Sequence, residues 1–208
     1  LVYSLNIPAT GNLAAPGAGF TDYSLKNDTS TVPIRRIAYY LELQKTGDPQ
    51  PTFVWVSMDA FTQQRKKIGV PTVASGAFWQ RYVSNLNVVS NSPGITTGNG
   101  LSGNLEFWPG NYTEKNLPPD GINIPGASQS FFDFGDGNGG TGYGHGSMQV
   151  HNYAAQQTLF ALNRWGANAN TANLLCVGIG NQVPAGTGNT DWTFANNAGS
   201  YTLRRLHV

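Results

Sequence analysis

A glycine-heavy stretch, Asp133-Phe134-Gly135-Asp136-Gly137-Asn138-Gly139-Gly140-Thr141-Gly142-Tyr143, runs into two alternating segments, Ser147 to Tyr153 and Thr158 to Leu162. Glycine supplies the positive-φ and close-approach conformations that tight connections need, while period-2 alternation puts one set of side chains into a core and the other toward solvent or a ligand. Strands joined by glycine-rich loops are therefore the expected grammar of the whole chain. The fold class that follows is all-β, with its chemistry on loops and sheet faces.

The same pattern recurs from the first residue. Leu1, Tyr3, Leu5 and Ile7 share one face of a strand closed by Pro8. Residues 9 to 33 read as a loop with at most a short edge strand around Phe20 to Leu25. Ile34 to Gln44 alternates strongly, with Ile37, Tyr39, Leu41 and Leu43 on one face and Ala38, Tyr40 and Glu42 on the other. Phe53 to Met58 is its expected hairpin partner, across a loop carrying Gly47, Pro49 and Pro51. Further strands are expected at Leu86 to Val89, Asn104 to Trp108, Ser130 to Phe134, Leu174 to Ile179, Asp191 to Phe194 and Tyr201 to Val208. Asp59 to Lys67 is the best helical candidate and Phe78 to Val83 a weaker one, neither long enough to make a helical layer. Many short strands between Gly/Pro/Asn loops predict an antiparallel β-sandwich, jelly-roll-like, spanning residues 1–208 as a single domain.

Only 11% of the 208 residues are charged, against 26 Gly and 12 Pro. Average usage is roughly 25% charged, so Asn, Thr, Ser, Gln and backbone must solvate this surface, as suits a secreted or cell-surface β protein. The formal charge of +1 comes with no concentrated basic face, which argues against a nucleic-acid partner. Arg35-Arg36, Arg65-Lys66-Lys67 and Arg204-Arg205 read as solvated strand ends and a turn. No apolar run approaches the roughly 20 residues of a membrane span. The lone Cys176, inside an apolar run, reads as a small buried hydrophobe. Opening on a strand pattern at Leu1, the chain has the look of a processed protein or an excised module.

The acidic glycine loop offers Asp133, Asp136 and Asn138 as oxygen ligands. Calcium takes about six to eight such oxygens, so this loop is a candidate calcium site, with a plain glycine turn as the competing reading. His145, Ser147 and His151 suggest a hydrolase triad, but there is no Gly-x-Ser-x-Gly elbow and Ser147 opens a strand. His151 fits a polar sheet face or a hydrogen-bonded structural role better. Zinc spacing is absent. Glu42, Asp59, Glu106 and Glu114 are not marked as a glycosidase pair by their spacing. Glu106, between Leu105 and Phe107, either is desolvated as a general acid would be or points outward.

Aromatics carry more information. Trp55, bracketed by Val54 and Val56, reads as core, as does Trp192. Trp79, Trp108 and Trp165 sit at strand ends, and Tyr112 lies in the loop after Trp108. Aromatic planes beside amides and acids suit sugar recognition, in which a pyranose stacks its apolar face on the ring. The expected rim site is Trp108 with Tyr112, and Glu106 and Asn111 as hydroxyl partners; Trp79 and Trp165 are the alternative platforms.

Four phrases together resemble a known family. They are Leu1 to Pro8; Val32 to Leu43, with Arg-Ile-Ala-Tyr-Tyr-Leu-Glu-Leu; Gly146 to Asn152; and Asp191 to Tyr201, followed by Arg204-Arg205-Leu206. Over nearly its whole length the chain resembles the C-terminal accessory domain of secreted bacterial sialate O-acetylesterase-like and related carbohydrate-active proteins. The resemblance implies a non-catalytic β-sandwich beside a separate catalytic domain that carries the esterase nucleophile. The expected function is thus a non-catalytic extracellular module that binds or adheres to a glycan or polysaccharide. A structural subunit self-associating into an extracellular fibre, sheath or surface layer is the second expectation, and a carbohydrate-active hydrolase the third.

Overall fold

The computed structural model describes residues 1–9, 23–70, 79–108, 147–163, 176–181 and 198–208, with backbone alone at 79–82, 84, 106–108, 147, 163 and 176. The protein is all-β. Ten strands form one antiparallel sheet: β1 (Tyr3–Asn6), β2 (Leu25–Lys26), β3 (Arg36–Lys45), β4 (Thr52–Asp59), β5 (Trp79–Ser90), β6 (Gly98–Trp108), β7 (Ser147–Asn152), β8 (Gln157–Asn163), β9 (Cys176–Ile179) and β10 (Tyr201–His207). Their order is β2-β1-β10-β3-β4-β5-β6-β7-β8-β9. From β3 to β9 each strand lies beside the one before it, so the described strands run as a meander. Only β10 is inserted out of sequence, between β1 and β3. The Greek-key neighbours of a jelly roll do not appear among the described strands. The two ends of the chain pair through Leu5↔Leu206 and a Val208 N to Tyr3 O bond of 2.9 Å.

Why this single sheet makes a core follows from one contact. Four strands separate β3 from β8, which in a flat sheet would place them about 24 Å apart at ~4.8 Å per strand. Yet the rings of Tyr39 on β3 and Phe160 on β8 have centroids 6.3 Å apart. The sheet is folded over on itself, sandwich-like, with its inner face lined by Ile37, Tyr39, Leu41, Val54, Val56, Met58, Leu105, Val150, Phe160 and Leu162, all buried. Register shifts help it bend. They interrupt β5–β6 between Val83 and Leu86, where Asn85 takes φ 57°, and β7–β8 between Val150 and His151; such bulges kink a strand and increase its twist.

Both helical expectations fail. Asp59 to Lys67 contains only a three-residue 3-10 turn, Arg65–Lys67. Local side chains take over the backbone there: Gln63 bonds both the N–H (2.9 Å) and the C=O (2.8 Å) of Ile34, and the Thr62 hydroxyl accepts from Gln64 N. Residues 79 to 83 belong to β5, paired from Trp79↔Phe107 to Val83↔Gly103. Long-range pairing there overrides a weak local preference. Of the edge strand expected around Phe20 to Leu25, residues 20–22 lie outside the described residues, and the described part holds a two-residue strand, Leu25–Lys26. The expected strands at Ser130 to Phe134 and Asp191 to Phe194, and the Cys176 side chain, lie outside the described residues. Among the described residues no helix is long and apolar enough to cross a membrane.

Three tyrosines tie the segment 65–70 to the sheet. Tyr3 Oη donates to Arg65 O (3.1 Å) and Tyr39 Oη to Ile68 O (2.9 Å), while Tyr23 Oη accepts from Val70 N (2.9 Å). The rings of Tyr3 and Tyr23 stack at 4.5 Å. Burial, reinforced by the charge of Asp28, pushes the Tyr3 phenol up from 10.0 to about 12. Burial also holds Tyr23 and Tyr39 well above their ordinary value. These phenols favour the folded state while protonated, so their contribution is fully present below pH 10 and is lost as pH rises through their folded pKa values. The melting temperature should therefore fall between about pH 10, where the unfolded phenols ionise, and about pH 12, the folded value for Tyr3. An unchanged melting temperature over that interval would contradict the burial of these hydroxyls.

Candidate functional site

Alternation on β3 and β4 creates two faces with different chemistry. With Val54, Val56 and Met58 turned inward and fully buried, Phe53, Trp55 and Ser57 must point the other way. Trp55 is consequently not core, contrary to the sequence expectation; its valine neighbours are core because it is not. It is half-buried on the outer face.

Register assembles that face row by row. His207, Tyr40, Trp55 and Val89 lie opposite one another across β10, β3, β4 and β5. The next row holds Arg205, Glu42 and Phe53. Tyr40 stacks on His207 with centroids 6.0 Å apart and planes 21° apart, and meets Phe53 at 5.6 Å. Val89 is 49% exposed, so the row opens to solvent at its β5 end. Four rings thus cover neighbouring positions on three strands.

Polar groups bound the rings on both sides. Glu42, largely buried, receives Arg205 Nη2 on Oε2 and the Tyr40 hydroxyl on Oε1 (3.3 Å). Burial, with the Glu42 charge and hydrogen bond, raises the Tyr40 phenol, whereas Arg205 acts to lower it. Burial and then Arg205 lower the His207 pKa, with Glu42 opposing them. At neutral pH His207 is therefore an uncharged ring lying on Tyr40. Four residues along β3, or about 13 Å away at ~3.3 Å per residue, Arg36 closes the other end. Its Nη1 meets Asp59 Oδ1 at 3.0 Å, and its Nη2 donates to Ser57 Oγ (3.0 Å) and Asn85 O (2.8 Å). Asn85 Nδ2 in turn donates to Asp59 Oδ2 at 2.6 Å. Between the two ends the small residues Ala38 and Ser57 leave low relief.

A second polar set is buried rather than open. Asn104, His151 and Thr158 occupy consecutive strands, fully buried, and His151 Nδ1 lies 2.5 Å from Asn104 Oδ1. Since Oδ1 can only accept, Nδ1 carries the proton. This is the hydrogen-bonded structural histidine that alternation suggested. Gln149, beside it on β7, is buried too.

Of the rim residues expected from sequence, Trp108 and Glu106 lie on β6 and Trp79 on β5, and their side chains fall outside the described residues. Register sets Glu106 between Gln80 and Gln149, and Trp79 opposite Phe107. Tyr112, Asn111, Trp165 and Trp192 lie outside the described residues altogether, as do the calcium candidates Asp133, Asp136 and Asn138 and the histidine His145. Sequence reasoning missed the outer-face cluster, although its signal was present: Tyr40 and Glu42 were already opposite the Tyr39 and Leu41 face.

Compared with protein-family models, curated proteins and solved structures, the chain matches none. The likeness to esterase accessory domains therefore rests on the four sequence phrases.

Proposed function

We propose that the protein is a non-catalytic extracellular module that binds an extended, neutral polysaccharide on the outer face of β10, β3, β4 and β5. The observation that carries this reading is the half-exposed row of His207, Tyr40 and Trp55 with Phe53 beside it. Sugar rings present apolar C–H faces to aromatic planes, and their hydroxyls need donors and acceptors at the margins. Glu42 with Arg205 and Asp59 with Arg36 are placed to supply them. Both charges of each sign are paired within the face, which favours a neutral polymer over an anionic one. The low relief at Ala38 and Ser57 also suits a chain lying along the face better than a chain end. The accessory-domain resemblance and the low charge point the same way, toward adhesion outside the cell beside a separate catalytic domain.

Self-assembly into a fibre or layer has less support at the β2 edge. That strand has two residues, one of them Lys26, and short, charged edges resist strand addition.

Trp55→Ala should weaken retardation in a polysaccharide affinity gel by roughly 1 to 3 kcal/mol, taking base stacking on aromatic side chains as the nearest analogue. The variant should still fold, because the ring lies outside the inner core. Equal retardation of wild type and variant would move the site elsewhere, first to the Trp108 rim.

A further inference from the structure

We infer that the protein has a second sugar site, a pocket at one end of the folded sheet that takes a single neutral hexose unit. It lies on the opposite side of β3 from the aromatic face and does not depend on that face being a glycan site. Beyond Leu43 the inner face runs out of core: the next register positions are Thr52, opposite Leu43, and Tyr201, opposite Lys45. The β3–β4 turn, closed by Asp48 N to Lys45 O (3.1 Å) with Gly47 at φ 93°, brings Asp48 to the same end. Because the sheet is folded over, Ile179 of β9 arrives there as well, and Ser92 follows β5. Together these residues line a cavity of about 190 Å³.

Its chemistry is divided as a pyranose requires. Leu43 and Tyr201, almost fully buried, back the cavity, and the half-buried Ile179 supplies its more accessible apolar side chain. Among the lining residues Asp48 carries a carboxylate acceptor, Lys45 an ammonium donor, and Thr52 and Ser92 hydroxyls that both donate and accept. A ring with one C–H face and several hydroxyls matches that division. Size limits the ligand further. At about 190 Å³ the cavity is below the roughly 300–1,000 Å³ of pockets for larger ligands, which favours one sugar ring. One positive and one negative residue in the lining leave no net charge to attract an ion, so a neutral sugar is favoured.

The test is a titration of the full chain with methyl hexopyranosides, followed by NMR at the Ile179 and Thr52 methyl groups. Saturable shifts at millimolar ligand are expected. Asp48→Asn, which keeps the shape and removes the charged acceptor, should weaken binding by about tenfold, and Ser92→Trp, which fills the cavity, should abolish it. If Ser92→Trp does not fold, Asp48→Asn decides alone. No saturable shift at Ile179 and Thr52, or binding unaffected by Asp48→Asn, overturns the proposal, as does a response to glycine betaine in place of the hexosides. Hexoside shifts confined to the Trp55 indole would overturn the pocket and leave the outer face standing; shifts confined to Ile179 and Thr52 would do the reverse.

Discussion

Gly103→Ala is expected to cost the protein most of its stability. Gly103 sits in β6 between Val83 of β5 and Asn152 of β7. A β-carbon there would overlap the carbonyl oxygen of His151 and come within 2.8 Å of Leu86 Cδ2. The oxygen belongs to the backbone of a paired strand and cannot rotate away. The leucine is fully buried, so it can give way only by displacing close-packed neighbours. Relief therefore requires β6 and β7 to separate next to the buried Asn104–His151 contact, which loses ladder bonds as well as packing. A loss above about 4 kcal/mol places this among the exceptional single substitutions, against a total of about 5–15 kcal/mol for a typical domain. Urea denaturation checks it: a midpoint close to wild type would mean that β6 and β7 do not approach this closely.

Phe160→Ala is the second large effect, expected at about 3 to 5 kcal/mol. The ring is fully buried, lies opposite Val150 and Ile179 in the ladder, and meets Tyr39 across the fold. Removing it leaves a cavity at the place where the two halves of one sheet face each other, and the same strands cannot collapse into it without losing register. Trp55→Ala, by contrast, removes a larger ring at far smaller cost, because the outer face is already half open. A thermal denaturation series on the two variants separates the faces: similar losses from both would mean that Trp55 is core after all.

Which parts of this architecture could be read from residues alone depends on whether the information is local. The faces of β3 were legible, since Ile37, Tyr39, Leu41 and Leu43 alternate with smaller or polar neighbours. The hairpin with β4 was legible from Gly47 and the two prolines. Trp55 was misread because its valine neighbours suggested core, although the same alternation, applied strictly, puts Trp55 opposite them. Residues 79 to 83 looked weakly helical because their partner, the stretch from Gly103 to Phe107, is remote in sequence. Strand order is equally non-local: alternation marks each strand but not its neighbour, so a meander and a jelly roll read alike. Of the candidate site, Tyr40 and Glu42 could be placed on one face, but Arg205 and His207 join them only through pairing across more than 160 residues. His151 was recognised as a polar-face residue, while its partner Asn104 was not visible from sequence.

Binding of polysaccharide on the outer face of β3 and β4 can be followed at the indole N–H groups of the five tryptophans by nitrogen-edited NMR during titration with a soluble neutral oligosaccharide. The Trp55 resonance, assigned by its loss in Trp55→Phe, is expected to shift furthest and to saturate with the bound fraction. Saturable shifts confined to Trp108, Trp79 or Trp165 with Trp55 unmoved, or no shift at any indole across a panel of neutral glycans, would contradict it.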